Sequence, residues 1–474
     1  MSHVKILNAA IEGFKQKFHS FCQNPDISID TLDSKAFGLM TRALMDAAQE
    51  AGKEGLREFL SQHDIKESSV IKDGTSYRYK GTSKNELLTL FGTIDYDRAM
   101  YYNEKDGGSY FFPLDHAINL EKNDFATLEV REMILFATSS CVPRELSVLL
   151  GKCSLCNPST TAIQNIINKD GAAMEALSER IGTNVINEIT LPATTHVMVA
   201  SLDGANVLLR EPGEKKGRKN KRPVESLAPA STTSYHNAMV GAVSFYGIDA
   251  KEKPERISSI YTARMPEEKS TTFKEEFERM LTTVEVKFKE NEQPVSKILL
   301  TDAHLMIKGF AKDSKVLQSY EMLVDFYHVT EHLSKAAEAA YGEQTDWSKW
   351  WYDKWREALK TDPAAPVAIL RSLQGLLKRH DLTAKRKKNL ETEITFFKNN
   401  KRLMKYPDFI GRKLPIGSGP IEAAAKTIVK QRMCRSGMRW SRIKGQFVLA
   451  IRATVQSGLW DSAWNQYKQL KKVA

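Results

Sequence analysis

Cysteine is scarce in this chain, with five in 474 residues, at positions 22, 141, 153, 156 and 434. An odd, scattered set of that kind excludes a disulfide framework and points to a reducing, cytoplasmic compartment. Cys153 and Cys156 form the lone CxxC pair. A structural zinc needs four ligands, so two packed thiols are expected there rather than a metal. No apolar run approaches the roughly 18 residues of a membrane-spanning helix, and the start, MSHVKILNAA, has no apolar signal core. Neither secretion nor membrane insertion is expected. Internal repeats and low-complexity tracts are also lacking.

Acid is in short supply relative to base. The chain has 69 Lys and Arg against 58 Asp and Glu, a net charge of +11, which favours an acidic partner, nucleic acid first. A protein of the nucleoid fits that balance. Its 42% apolar and 27% charged residues are those of a globular chain, long enough for about two to four domains.

Six segments follow from the patterning. Residues 1–80 form an N-terminal helical region, because 28–63 carry apolar residues at three- and four-residue spacing. Residues 81–122 form a small antiparallel β element, in which TIDYDRAMYY alternates and EKDGGSYFF supplies a turn. Residues 123–190 contain three short helices, with Pro143 opening the second, Gly151 closing it, and Asn157 and Pro158 as N-cap and first position of the third. They fit a helix-turn-helix that presents Ser159, Thr160, Thr161 and Gln164 to a DNA groove; a plain helical bundle is the competing reading.

Residues 191–330 read as strand, strand, strand, helix, strand, helix, strand. ATTHVMVASLDG, VSKILLTDAH and YEMLVDFYHV are apolar runs that reach an acid, at Asp203, Asp302 and Asp325. This order predicts an α/β core of ribonuclease-H-like type, a mixed five-stranded sheet flanked by helices. EPGEKKGRKNKRP (211–223) is a basic loop. Residues 331–412 are an all-helical insertion, and 413–474 return to the core. In WSKWWYDKWREALK, Trp347, Trp351 and Trp355 share a helix face and should form the insertion's core.

Phosphodiester chemistry needs divalent ions held by carboxylates from separate elements. Asp203, Asp302 and the isolated Glu422, after IGSGP, make a plausible triad. Asp325 competes with Asp302 as the second metal acid. His328 could transfer a proton or hold a phosphate, or be a packed core histidine. From Lys426 to Lys444 there are seven basic residues and no acid. Lys426 and Lys430 lie one and two turns beyond Glu422, and Arg432, Arg435, Arg439, Arg442 and Lys444 follow. With Trp440 this run reads as a phosphate-binding surface with a stacking platform.

The segments SLDGANV, KILLTDAH, VDFYHVTEHL and above all LPIGSGPIEAAAKTIVKQRMCRSGMRWS resemble DDE transposases of bacterial insertion sequences, in a group distantly allied with Mutator-type elements. The resemblance runs from about residue 80 to the end. It implies a ribonuclease-H-like core with a helical insertion, using Mg²⁺ or Mn²⁺ to cut double-stranded DNA at terminal inverted repeats and join the ends to a target. The family's acids fall on Asp203, Asp302 and Glu422, and a homodimer on DNA follows by analogy. Two departures stand out. The second aspartate reads TDAH without a flanking glycine, and Asp325 and His328 stand at the spacing where Mutator-type relatives have Cys and His. An inactive DNA-binding descendant and a nuclease without strand transfer are the alternatives.

Overall fold

The computed structural model describes residues 2–24, 32–103, 108–121, 123–153, 156–210, 235–417 and 419–473. The basic loop expected at 211–223 lies outside them. The chain divides into two units, residues 1–173 with 471–474, and residues 174–470.

In the first unit, helices Ser2–Cys22 and Ser34–His63 pack together. Asp33 caps the second, its carboxylate accepting from the Ala36 amide at 2.7 Å. Four strands follow: β1 (Ser69–Lys72), β2 (Thr75–Thr89), β3 (Gly92–Asn103) and β4 (Ser109–Phe111), an antiparallel meander in chain order. This sheet begins before the boundary expected at 81. Lys72 pairs with Thr75 across Asp73 and Gly74, whose φ angles of 50° and 76° are both left-handed. That is the two-residue hairpin an Asp-Gly pair favours.

Three helices, Leu128–Thr138, Pro143–Lys152 and Thr160–Ala176, complete the unit. Arg131 ties the first to the third: its Nε donates to Asp170 Oδ2 at 2.9 Å and its Nη1 to Asp124 Oδ2 at 3.0 Å, all nearly excluded from solvent. The third helix is capped by Ser159, whose Oγ accepts from the Ala162 amide at 3.1 Å, and not by Asn157. Cys156 is buried while Cys153 is exposed, so the CxxC thiols are not two core residues.

The second unit is built on a five-stranded mixed sheet. Its strands are β5 (Val197–Leu208), β6 (Tyr235–Ile248), β7 (Pro254–Arg264), β8 (Ser296–Thr301) and β9 (Glu321–Val324), in the order β7-β6-β5-β8-β9. β7, β6 and β5 are antiparallel; β5, β8 and β9 are parallel. β5, β6 and β8 are covered on both faces over most of their length, which is why they read as apolar runs, whereas the edge strand β7 is exposed or half-buried along most of its length. One face packs Met198, Ala200 and Leu202 against Phe273, Phe277 and Leu281 of helix Thr271–Glu290. The other packs Val197, Val199, Ile298 and Leu300 against Val329, Leu333 and Ala336 of helix Phe326–Tyr341.

Helices Asp346–Thr361, Ala365–Leu377 and Ala384–Asn400 extend that second layer. Trp351 is buried there, its indole N–H donating to Ser372 Oγ at 3.1 Å. Trp347 does not join it. Trp347, in the first turn of its helix, is 66% exposed and Trp350 52% exposed, because the apolar layer begins one turn further on.

Gly241, paired with Leu202 on β5, lets helix Thr271–Glu290 close on the sheet. A Cβ there would stand 2.5 Å from Phe277 Cδ2. Gly241→Ala is expected to destabilise the protein by about 1–3 kcal/mol through overpacking, read as a lower urea midpoint. An unchanged midpoint would show that the helix yields.

Candidate active site

Strand register brings the acids of the second unit together. β5 and β8 pair from Val197–Ser296 to Ser201–Leu300, so two residues further on Asp203 stands beside Asp302. β8 and β9 pair up to Thr301–Val324, so Asp302 in turn stands beside Asp325, whose amide donates to the Thr301 carbonyl at 2.8 Å. Adjacent strands lie about 4.8 Å apart. Side chains alternate along a strand, so all three acids share the face of Val197, Val199, Ile298, Leu300 and Leu323. That is the face of helix Phe326–Tyr341.

Asp203 is not at a strand end, as expected from the apolar run, but inside β5, opposite Val240 of β6. The antiparallel partner carries β5 on to Leu208, while the ladder to β8 stops at Ser201. Asp203 therefore sits where one edge of its strand opens. Its Oδ1 accepts from the Gly204 amide at 2.6 Å. Asp302 lies in a tight turn, with Ala303 at φ 69°, and its Oδ1 accepts from the His304 amide at 2.9 Å. Both are partly exposed. Asp325 is 1% exposed, and its Oδ1 caps helix Phe326–Tyr341 by accepting from the His328 amide at 2.7 Å. Of the two competing acids, Asp302 is the accessible one.

Glu422 is exposed on the short helix Gly419–Ala424, which packs on β5 and β6. The loop before it docks on the start of helix Phe326–Tyr341, where the Phe326 amide donates to the Ile416 carbonyl at 2.9 Å. A Cβ on Gly417 would lie 2.6 Å from the Tyr327 ring, so a larger residue there would have to displace that ring.

The acids feel one another. Although its side chain reaches solvent, partial desolvation pushes the Glu422 carboxyl up, and the charges of Asp325, Glu331 and Asp203 push the same way. Burial also raises Asp203, against the Gly204 hydrogen bond, and Asp302 adds to the rise; Lys430 and His328 oppose it. His328 is lowered by burial and by His332, while Asp302, Glu331 and Asp325 pull it up. Lys308 is lowered by burial, against the pull of Asp302. Nothing in the local sequence marks Lys308 or Glu331, since both reach the site by tertiary packing.

Beyond Glu422 the helix widens into a π-helical segment, Ala425–Lys430. The simple α-helical face expected for Glu422, Lys426 and Lys430 is therefore interrupted. Arg452, buried, donates from Nε to the Thr427 carbonyl at 2.7 Å, satisfying backbone in the widened turn.

Lys426, Lys430, Arg435, Arg439, Arg442 and Lys444 are exposed, and Arg442 donates to the Pro266 carbonyl. Arg432 departs from the expected phosphate-binding surface. It is 1% exposed and lies over the Trp440 ring, 5.1 Å from the centroid. Trp440 is half-buried, its Nε1 donating to the Met433 carbonyl at 2.9 Å and its amide to the Leu208 carbonyl at 3.0 Å. The pair fastens the segment to the end of β5, and the ring face over Arg432 is not open to a base. In the first unit Ser159, Thr160 and Thr161 are exposed, while Gln164 is half-buried and donates to Asn168 Oδ1 at 3.2 Å.

Among the described residues no three His, Cys, Asp or Glu side chains are arranged to hold a metal ion. The donor chemistry of Asp203, Asp302 and Glu422 is carboxylate oxygen throughout, which suits a hard divalent cation.

An uncharacterised protein family, UPF0236, matches residues 36–179. No curated protein matches the chain. Among solved structures the chain is similar to the Drosophila P element transposase strand transfer complex, with 11% identity and a TM-score of 0.25 over 73% of this chain and 83% of that one. A likeness that distant carries no weight for the fold or the site. No helix among the described residues is long and apolar enough to cross a membrane.

Asp203 has a raised pKa in the folded state. Stability should therefore fall as pH rises from the unfolded carboxylate value near ~4 through the raised value, and the cost should persist above it. Asp203→Asn is expected to melt above the wild type at pH 7, with the difference closing toward pH 4. A lower melting point for the variant at pH 7 would contradict the crowding of charge.

Proposed function

We propose that this chain is a DNA transposase that cuts DNA at terminal inverted repeats and joins the 3′ ends to target DNA, with the mixed sheet as a ribonuclease-H-like core. The observation that carries this reading is the register that sets Asp203 beside Asp302 on one sheet face, with Glu422 electrostatically linked to Asp203. The segment LPIGSGPIEAAAKTIVKQRMCRSGMRWS, where the family resemblance is strongest, supports it, as does the strand order β7-β6-β5-β8-β9.

Asp203, Asp302 and Glu422 are the residues that would hold Mg²⁺ or Mn²⁺. When bound, such ions activate a water or 3′-hydroxyl and neutralise charge at the leaving oxygen. The protein's own part is to gather carboxylates on a rigid sheet and to bring positive charge to the substrate phosphates. Lys430 and Lys308 are electrostatically linked to the acids. Lys426, Arg435, Arg439 and Lys444 offer an exposed basic surface to the flanking duplex. Asp325 serves as a helix cap, orienting the helix that carries His328. Ser159, Thr160 and Thr161 would meet the DNA end in a groove, and a homodimer would pair two ends.

The test is incubation with Mg²⁺ and DNA carrying the flanking repeats, resolving cleaved and joined products. Asp203→Ala, Asp302→Ala and Glu422→Gln should each abolish cleavage while DNA binding survives. Full cleavage by Asp302→Ala would remove that residue from the site. Binding without cleavage by the wild type would favour a DNA-binding descendant, and cleavage without joining a nuclease. Arg435→Ala with Arg439→Ala should weaken DNA binding and flatten its salt dependence, by about 0.9 in slope for each phosphate no longer neutralised. An unchanged slope would return these residues to solvated surface.

A further inference from the structure

His328 and His332 stand one turn apart on helix Phe326–Tyr341, and helix Ala384–Asn400 of the insertion meets them with Glu393 and Phe396. His332 Nδ1 lies 2.6 Å from Glu393 Oε2, and His332 Nε2 lies 3.3 Å from His328 Nε2. Glu393 is only 5% exposed. The Phe396 ring stacks on His332 at 3.5 Å between centroids and 12° between planes, and meets His328 edge-on at 5.9 Å. Two helices thus clamp two imidazoles between a buried carboxylate and an aromatic ring.

The order of protons follows from the chemistry of the partners. An ionised carboxylate only accepts, so the proton of His332 is on Nδ1. In the neutral pair its Nε2 carries a lone pair, and the hydrogen bond between the rings then requires the proton of His328 to be on Nε2. That leaves Nδ1 of His328 as an acceptor, 3.9 Å from Glu331 Oε2, on a residue whose amide donates to Asp325 Oδ1 at 2.7 Å, with Asp302 on the neighbouring strand end.

We propose that Glu393 and His332 are positioning residues that hold His328 as its Nε2–H tautomer, presenting Nδ1 to take a proton at the acid cluster. The inference deepens the function proposed above and rests on it for the identity of the proton's source. There the O–H bond of the attacking water or 3′-hydroxyl breaks as its oxygen bonds to phosphorus, the phosphorus–oxygen bond on the opposite side breaks with its electron pair leaving on the departing oxygen, and the proton passes to His328 Nδ1. The resulting imidazolium still donates Nε2–H to His332, and the Glu393 carboxylate at the far end stabilises the charge. The helical insertion thereby reaches the chemistry through the Glu393 carboxylate.

The test is nitrogen-detected NMR of the full chain with ¹⁵N-labelled histidine rings, His328 being assigned by His328→Gln. The wild type at pH 7.5 should show His328 protonated on Nε2 and bare on Nδ1. In Glu393→Leu, and independently in His332→Phe, that preference should disappear, with circular dichroism unchanged. A wild-type His328 protonated on Nδ1 overturns the inference without any variant, and so does a folded variant of either kind that retains the wild-type tautomer. Cleavage at saturating DNA should fall about tenfold in Glu393→Leu with DNA affinity unchanged. If the wild type cleaves no DNA, the proposed transposase activity fails while the tautomer measurement still decides this inference.

Discussion

The parallel pairing of β5, β8 and β9 is the constraint on which the second unit depends. A shift of one residue in either ladder would turn an aspartate to the opposite face, into the layer that holds Phe273 and Phe277. Apolar side chains on both faces hold the register: Val199 and Ile298 on one side, Ala200 and Leu299 on the other. The Asp325 amide still donates to the Thr301 carbonyl, but Asp203 and Asp302 take no part in fixing it. They stand just past the paired residues, where the backbone hydrogen bonds to β8 have ended and carboxylates can gather.

Such a gathering opposes folding by its own electrostatics. Asp203 and Glu422 both have pKa values raised by burial and by neighbouring acids, so their charged forms are disfavoured where they stand. Local hydrogen bonds offset part of this. Asp203 accepts from Gly204, Asp302 from His304 and Asp325 from His328. The clustering has no evident role in holding the sheet together, which the apolar layers accomplish. A cluster that costs stability and is nonetheless built on rigid strands fits the cation-binding role proposed for it above.

Much of the sheet was legible from the sequence, because strands buried on both faces write themselves as apolar runs and the intervening helices keep their period. Asp203, Asp302 and Asp325 could be found for the same reason, each standing at the close of such a run. Less legible was anything set by pairing partners. That β5 continues past Asp203 depends on β6, and residues 69–80 become strands because Asp73 and Gly74 turn the chain between them. In the basic segment the pattern of charge was visible, but burial was not. Arg432 reads like its neighbours in sequence and is enclosed against Trp440 in the fold, because a π-helical turn changes which way the following residues face.

The insertion shows why one-dimensional spacing misses contributions of another kind. Glu393 lies in a helix whose opening residues, Ala384 to Asn389, are basic and polar, and nothing near it suggests chemistry. Its importance comes from a partner 61 residues away in the chain, since the pairing gives His332 a fixed proton and, through it, His328 a fixed orientation. A carboxylate–imidazole hydrogen bond is directional, so it transmits position as well as charge. An insertion attached to the sheet only by apolar packing could stabilise the acid site, yet it could not set which nitrogen of His328 is bare.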